Sequence, residues 1–163
     1  MTKKNDSGQA LVEIALSIGI FLVFVWGTIE FGNMFNTKST LQNAVRQAGR
    51  YAITGQCIGG VGSCTETRYN SILTKVQNTS EGYINSGNVA SDVSITCTDA
   101  GGGCINGSGA ADPAGGPGDL ITITVTYPYP FLSGRIAKFF GGGSYTITVS
   151  SSFKNEQFLP SES

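Results

Sequence analysis

The side chains able to do chemistry are few, and most are carboxylates and cysteines. Glu13 stands inside the apolar run 10–26. An ionisable group at membrane depth is expensive and needs a partner, so a carboxylate there marks a functional position. Gly8 precedes it by five residues, in Gly8-Gln9-Ala10-Leu11-Val12-Glu13. Cys57 and Cys64 are separated by six residues, as are Cys97 and Cys104. Neither pair has the C-x-x-C spacing of a zinc ribbon or a redox motif. Both lie beyond the apolar run, among Gly and Thr, and read as disulfides made in an oxidising compartment, with free thiols the alternative. Four cysteines allow three connectivities. The expected pairing is the local one, Cys57–Cys64 with Cys97–Cys104, which closes two short loops.

Other chemistry is excluded by what is missing. The chain has no histidine, and so lacks the commonest metal ligand and general base. A Ser-His-Asp triad is therefore impossible, and no G-x-x-x-x-G-K-[ST] phosphate loop occurs. Asp99, Asp112 and Asp119 flank a Gly-rich stretch at a spacing that fits no EF-hand, so they read as solvated loop acids rather than calcium ligands. Asn78-Thr79-Ser80 and Asn106-Gly107-Ser108 fit the glycosylation triplet, a short and weak pattern. Ten basic and 11 acidic side chains give a net charge of −1, with no basic cluster that would suit nucleic acid. These features point to a non-enzymatic protein without cofactor or metal.

The elements that must position Glu13 and the cysteines follow from periodicity. From residue 10 to 29 only Glu13, Ser17 and Thr28 are polar, and about 20 such residues span a hydrocarbon core as a helix. No small-residue cleavage site follows, and Glu30 and Phe31 continue the helical pattern, so the segment stays attached. Lys3 and Lys4 favour a cytoplasmic N-terminus. Lys38, Arg46 and Arg50 would favour the reverse on count alone, but the cysteines and Thr-rich strands on their side overrule the count. Beyond the span Leu41, Ala44, Val45, Ala48, Tyr51 and Ala52 form an apolar stripe at helical spacing, with Gly49 a weak spot and Gly55 a stop.

The rest reads as a small α+β head. Tyr69, Ile72, Leu73 and Val76 predict a second helix started by Thr65 or Thr67. Residues 93–97, 120–127 and 145–149, the last running on to Phe153, alternate in the strand period. Threonines fall on one face and branched apolar residues on the other, as in an antiparallel sheet with one covered face. Pro128 and Pro130 are expected to stop the middle strand. Residues 101–118 read as a long exposed loop pinned by Cys97–Cys104. Phe131, Leu132, Ile136, Phe139 and Phe140 form an apolar excursion assigned to the core.

Gly8-Gln9-Ala10-Leu11-Val12-Glu13, the apolar helix, Ile29-Glu30-Phe31-Gly32, Leu41-Gln42-Asn43-Ala44 and Gly49-Arg50-Tyr51-Ala52 together resemble the TadE family. These are pseudopilins, type IV prepilin-like proteins of the tight-adherence (Tad/Flp) pilus system. The likeness covers about residues 7 to 54. Further on, Ile121-Thr122-Ile123-Thr124-Val125-Thr126-Tyr127-Pro128 resembles the family's strand near the C-terminus, while the Cys pairs and the Gly-rich loop are additions.

The resemblance implies a pilin-like organisation. Residues 1–8 would be a leader cut by a prepilin peptidase between Gly8 and Gln9, residues 9–30 the transmembrane helix, 31–55 its outer continuation and 56–163 the head. Glu13, then fifth in the mature chain, would pair with the new amine of an adjacent subunit, or else reach the headgroup layer. The implied partners are other pilin subunits, the prepilin peptidase, the inner-membrane pilus assembly platform and membrane lipid, and no nucleic acid. The implied place is the inner membrane, with the head outside. The implied role is a minor pilin or pseudopilin in pilus assembly, the alternatives being the filament subunit itself or a membrane-tethered adhesin.

Overall fold

The computed structural model describes residues 6–58, 67–98, 104, 112–132, 138 and 144–157. The architecture is α+β. Helix α1 runs Asp6–Ile53, α2 Arg68–Thr79 and the single-turn α3 Val89–Asp92. Strands β1 (Val93–Thr98), β2 (Leu120–Pro130) and β3 (Ser144–Lys154) form one antiparallel sheet in the order β1-β2-β3. The chain divides into two compact units, Met1–Asn36 and Thr37–Ser163. The second contains the C-terminal part of α1 together with the sheet.

Within that second unit the helical stripe is the core. Leu41, Ala44, Val45, Ala48 and Ala52 are all fully buried. They recur at three- and four-residue spacing, which keeps them on one face. The sheet supplies the facing layer from Val93 and Ile95, from Ile121, Ile123 and Val125, and from Ile147 and Val149. Register places Val93 opposite Val125 and Val125 opposite Val149, so branched residues sit side by side on the covered face. Thr122, Thr124 and Thr126 take the other face, where the Thr122 and Ser152 hydroxyls lie 2.8 Å apart. Helix α2 adds Ile72, Leu73 and Val76. Thr67 caps it, its hydroxyl accepting from the Asn70 backbone N–H at 3.3 Å.

At Gly49 the helix leaves room for a side chain of the sheet. A Cβ on it would lie 2.2 Å from the Phe153 ring of β3. It is not a weak spot in the helix but the gap that admits Phe153. Gly49→Ala is expected to lower stability by about 1–3 kcal/mol, the usual cost of overpacking, despite the better helix propensity of alanine. Urea unfolding of the detergent-solubilised chain measures it. Gly55, φ 68, ends the helix with its N–H on the Ala52 carbonyl at 3.2 Å.

Two expectations are corrected. Strand β2 is not stopped by its prolines but continues to Pro130. Strand β1 ends its pairing at Val125, so among the described residues Pro128 and Pro130 lie where β2 pairs with β3 alone. Alternate residues of a strand direct their backbone groups to opposite neighbours, and both prolines share one parity, so their missing donors fall on the vacated side. The second correction concerns the stretch 112–119, which is not an exposed loop. Ala114 is fully buried and Asp119 is 7 % exposed.

The reason is a polar hub that gathers this stretch into the core. Arg68, 1 % exposed, donates to the carbonyls of Gly115, of Ala114 (2.9 Å) and of Ala52 at the end of α1 (3.1 Å). Asn155 Nδ2 donates to Ala114 O (3.0 Å) and Gly116 O (2.9 Å). Asp119 Oδ2 accepts from Gly116 N (2.7 Å), and Asp112 Oδ1 from Ala114 N (2.9 Å). These acids are structural hydrogen-bond acceptors rather than solvated side chains. Gly115 has φ +68, and a Cβ there would lie 2.8 Å from Cys97 Sγ. The apolar excursion assigned to the core is not buried where it is described, Leu132 being 64 % exposed and Phe131 half-buried, while Asp99, Ile136, Phe139 and Phe140 lie outside the described residues.

Candidate membrane and assembly segment

The residues Gly8, Gln9 and Glu13 all lie in the first turns of α1, and all are exposed. Gln9 and Glu13 are four apart, hence on one face and about 6 Å along the axis. Around and beyond them fifteen large apolar side chains of α1 are exposed, Leu11 at 69 %, Phe21 at 64 % and Phe24 at 71 % among them. At about 1.5–3 kcal/mol for each side chain left in water, that is tens of kcal/mol of unmet burial. Patches of that extent belong against lipid or another helix. The helix is long and apolar enough to cross a membrane, with a mean hydropathy of 2.3 over its best window and none of that window buried.

The polar groups inside the run differ in kind. Ser17 donates to the Glu13 carbonyl at 2.9 Å and Thr28 to the Phe24 carbonyl at 2.9 Å, each four residues back. Both hydroxyls are thereby satisfied within the helix. The Glu13 carboxylate is a charge carried on the apolar surface itself. Glu30 contrasts with it, being only 5 % exposed. Its signal in the sequence was an acid between Ile29 and Phe31, read there only as part of a motif.

The three described cysteines are oxidised. Cys97 and Cys104 are bonded to each other, with Cα atoms 5.9 Å apart. Cys57 is disulfide-bonded, and Cys64 lies outside the described residues. Asp119 approaches Cys97 and Cys104 closely enough for a three-ligand metal cluster. Metal ligation requires thiolates, and both sulfurs are committed to the disulfide. The bond closes a loop of sequence separation 7. Cys97→Ala with Cys104→Ala is expected to cost about 2.5 kcal/mol by loop entropy, read as a fall in the unfolding midpoint under non-reducing conditions. The Asn78-Thr79-Ser80 triplet falls in the last turn of α2, where Ser80 is fully buried and donates to Gln77 O at 2.8 Å, unlike an accessible acceptor loop.

The likeness to a known family falls on the stretch from Gly8 through the buried stripe to Arg50. Residues 8–50 match the family of TadE-like proteins. The TadE-like segment thus covers the bilayer-length run, Glu13, Glu30 and most of the stripe, and stops short of α2 and the sheet. No curated protein and no solved structure matches the chain.

Proposed function

We propose that this protein is a minor pilin or pseudopilin that serves assembly of a Tad-type pilus. The observation that carries the reading is the start of α1: Gly8-Gln9 and Glu13 on a helix whose large apolar side chains are exposed all round, inside the TadE-like segment. In this reading a prepilin peptidase removes residues 1–8, the helix sits in the inner membrane with its N-terminus in the cytoplasm, and the head lies outside. The new amine of one subunit meets Glu13 of the next in the apolar phase, where an unpaired charge is costly and a matched pair fixes helix register. A head unit of this size, residues 37–163, suits a minor or priming subunit better than a bulk filament protein. The role is structural and needs no cofactor.

The test is the N-terminus of the chain from native membranes and from sheared surface filaments, read by intact mass and terminal peptide. A chain beginning at Gln9, at low abundance in filaments, supports the reading. A dominant filament species makes it the filament subunit. A chain beginning at Met1 and confined to membranes overturns the reading in favour of a tethered adhesin. Gly8→Ala sharpens the test, since a Cβ at Gly8 meets nothing within 4 Å and leaves the fold alone. Processing of that variant is expected to fall by about tenfold, a loss of roughly 1.4 kcal/mol of transition-state stabilisation. Unchanged yield of the Gln9 terminus would refute the assignment of the site.

A further inference from the structure

The head carries its charges unevenly. Residues 31–75 hold five basic side chains and one acidic, whereas residues 76–163 hold three basic and seven acidic. On the basic side, Arg46 and Arg50 of α1 and Lys75 of α2 line an open cleft of about 660 Å³ together with Asn43, Gln47 and Tyr51. Among the described residues no carboxylate lines it. Lys75 Nζ is held 6.0 Å from the centre of the Tyr51 ring, so the cleft's cations are fixed from two helices. Two guanidinium forks and an ammonium among side-chain amides suit carboxylates and aromatic faces, which Arg engages by paired hydrogen bonds and by stacking.

On the acidic side, the same chain offers a surface of that chemistry. Tyr83 and Tyr127 meet edge to face with ring centres 5.5 Å apart. Burial, then the neighbouring Tyr83 and Asp92, push the Tyr127 phenol above its ordinary range, which locates Asp92 at the same corner. Glu81, exposed, stands two residues from Tyr83. The corner therefore combines two partly exposed phenols with two carboxylates, and shares no residue with the cleft.

We infer that the basic cleft of one copy receives the Glu81–Tyr83–Asp92–Tyr127 corner of a second copy of this chain. The occupant is a second copy because the complementary charge and the aromatic faces are both present on this head. Tyr and Arg are the residue types that most often dominate interface energies. The contact joins two different patches, so it is directional and can propagate. It does not rest on the pilus reading, since any two tethered heads at sufficient density would meet this way.

The test uses the full chain in detergent micelles and sedimentation velocity. The wild type is expected to associate at about 50 mM salt and to dissociate toward about 500 mM, as screening shortens the reach of its charges. R46E/R50E alone and E81K/D92K alone are each expected to weaken association by at least about tenfold, because each then opposes like charges. An equimolar mixture of the two is expected to associate again, since each reversed surface finds its opposite. Circular dichroism of each variant shows that the fold is kept, all four residues lying at the surface. The inference is overturned if the wild type stays monomeric at low salt, if R46E/R50E associates like the wild type, or if the mixture stays apart. Loss with R46E/R50E but not with E81K/D92K also overturns it, and assigns the cleft to another acidic partner.

Discussion

Arg68→Met is expected to cost about 3 kcal/mol or more and to disorganise the head. The side chain is 1 % exposed and ties together three backbone carbonyls from two places far apart in the chain, Ala52 on α1 and Ala114 and Gly115 on the connection before β2. Methionine fills comparable volume but donates nothing. Each carbonyl left buried without a donor costs about 1–3 kcal/mol, partly offset at Ala114, which keeps the Asn155 amide. Burial alone lowers the Arg68 pKa, and Asp112 and Asp119 pull it back up. Removing the cation therefore also leaves the buried Asp119 carboxylate without its nearby positive charge, which adds to the loss. Arg68→Lys should fall between, since an ammonium keeps the charge but cannot reach three carbonyls as a planar fork does. Thermal unfolding followed by near-ultraviolet circular dichroism measures both variants. A midpoint for Arg68→Met within a degree or two of the wild type would refute the hub.

Glu13→Gln is expected to abolish assembly while sparing the fold and the processing. The side chain is exposed on α1 and outside the compact unit that holds the head, so its amide isostere should leave unfolding of the head unchanged. What it removes is the negative charge. An ion pair at contact is worth about 4 kcal/mol at an effective dielectric of 20, and more in a drier setting. Even a net 1.4 kcal/mol per junction is a factor of about ten in each subunit's association, which multiplies along an assembly. Surface pili should fall by more than about tenfold, with normal amounts of Gln9-terminated chain in the membrane. Normal piliation would remove Glu13 from the assembly step. The pairing of loss with intact processing separates this outcome from a failure of leader removal.

The periodic elements were legible because their signals are local. The stripe Leu41, Ala44, Val45, Ala48 and Ala52, the Thr67 cap and the three alternating strands each follow from neighbouring residues. The start of α1 was legible for the same reason, as a carboxylate at fixed distance from a glycine in an apolar run. What stayed hidden depends on partners distant in sequence. Arg68 looks like any helix-starting cation until Ala52 and Ala114 are brought beside it. Gly49 looks like a helix breaker until Phe153 arrives. The prolines of β2 look like terminators until it is known that β1 has already ended. Asp119 looks solvated until the Gly116 N–H turns toward it. Glu30 could have been singled out as Glu13 was, since both interrupt apolar sequence.

The closing of the head onto α1 also fixes an order in time. Phe153 fills the space at Gly49, the Asn155 amide holds Ala114 and Gly116, and the Glu156 N–H reaches the Ile53 carbonyl at 2.9 Å. The Phe153 and Glu156 clasps come from a stretch synthesised about a hundred residues after the helix they fasten. Until β3 emerges, the stripe on α1 has no lid, and contacts spanning so much chain form slowly. The nascent protein therefore passes through a stage in which two apolar surfaces of one helix are uncovered at once. A bilayer can take the first of them immediately, but the second must wait until β3 has emerged or be shielded by a chaperone. Packing of the stripe on α1 is gated by the arrival of β3.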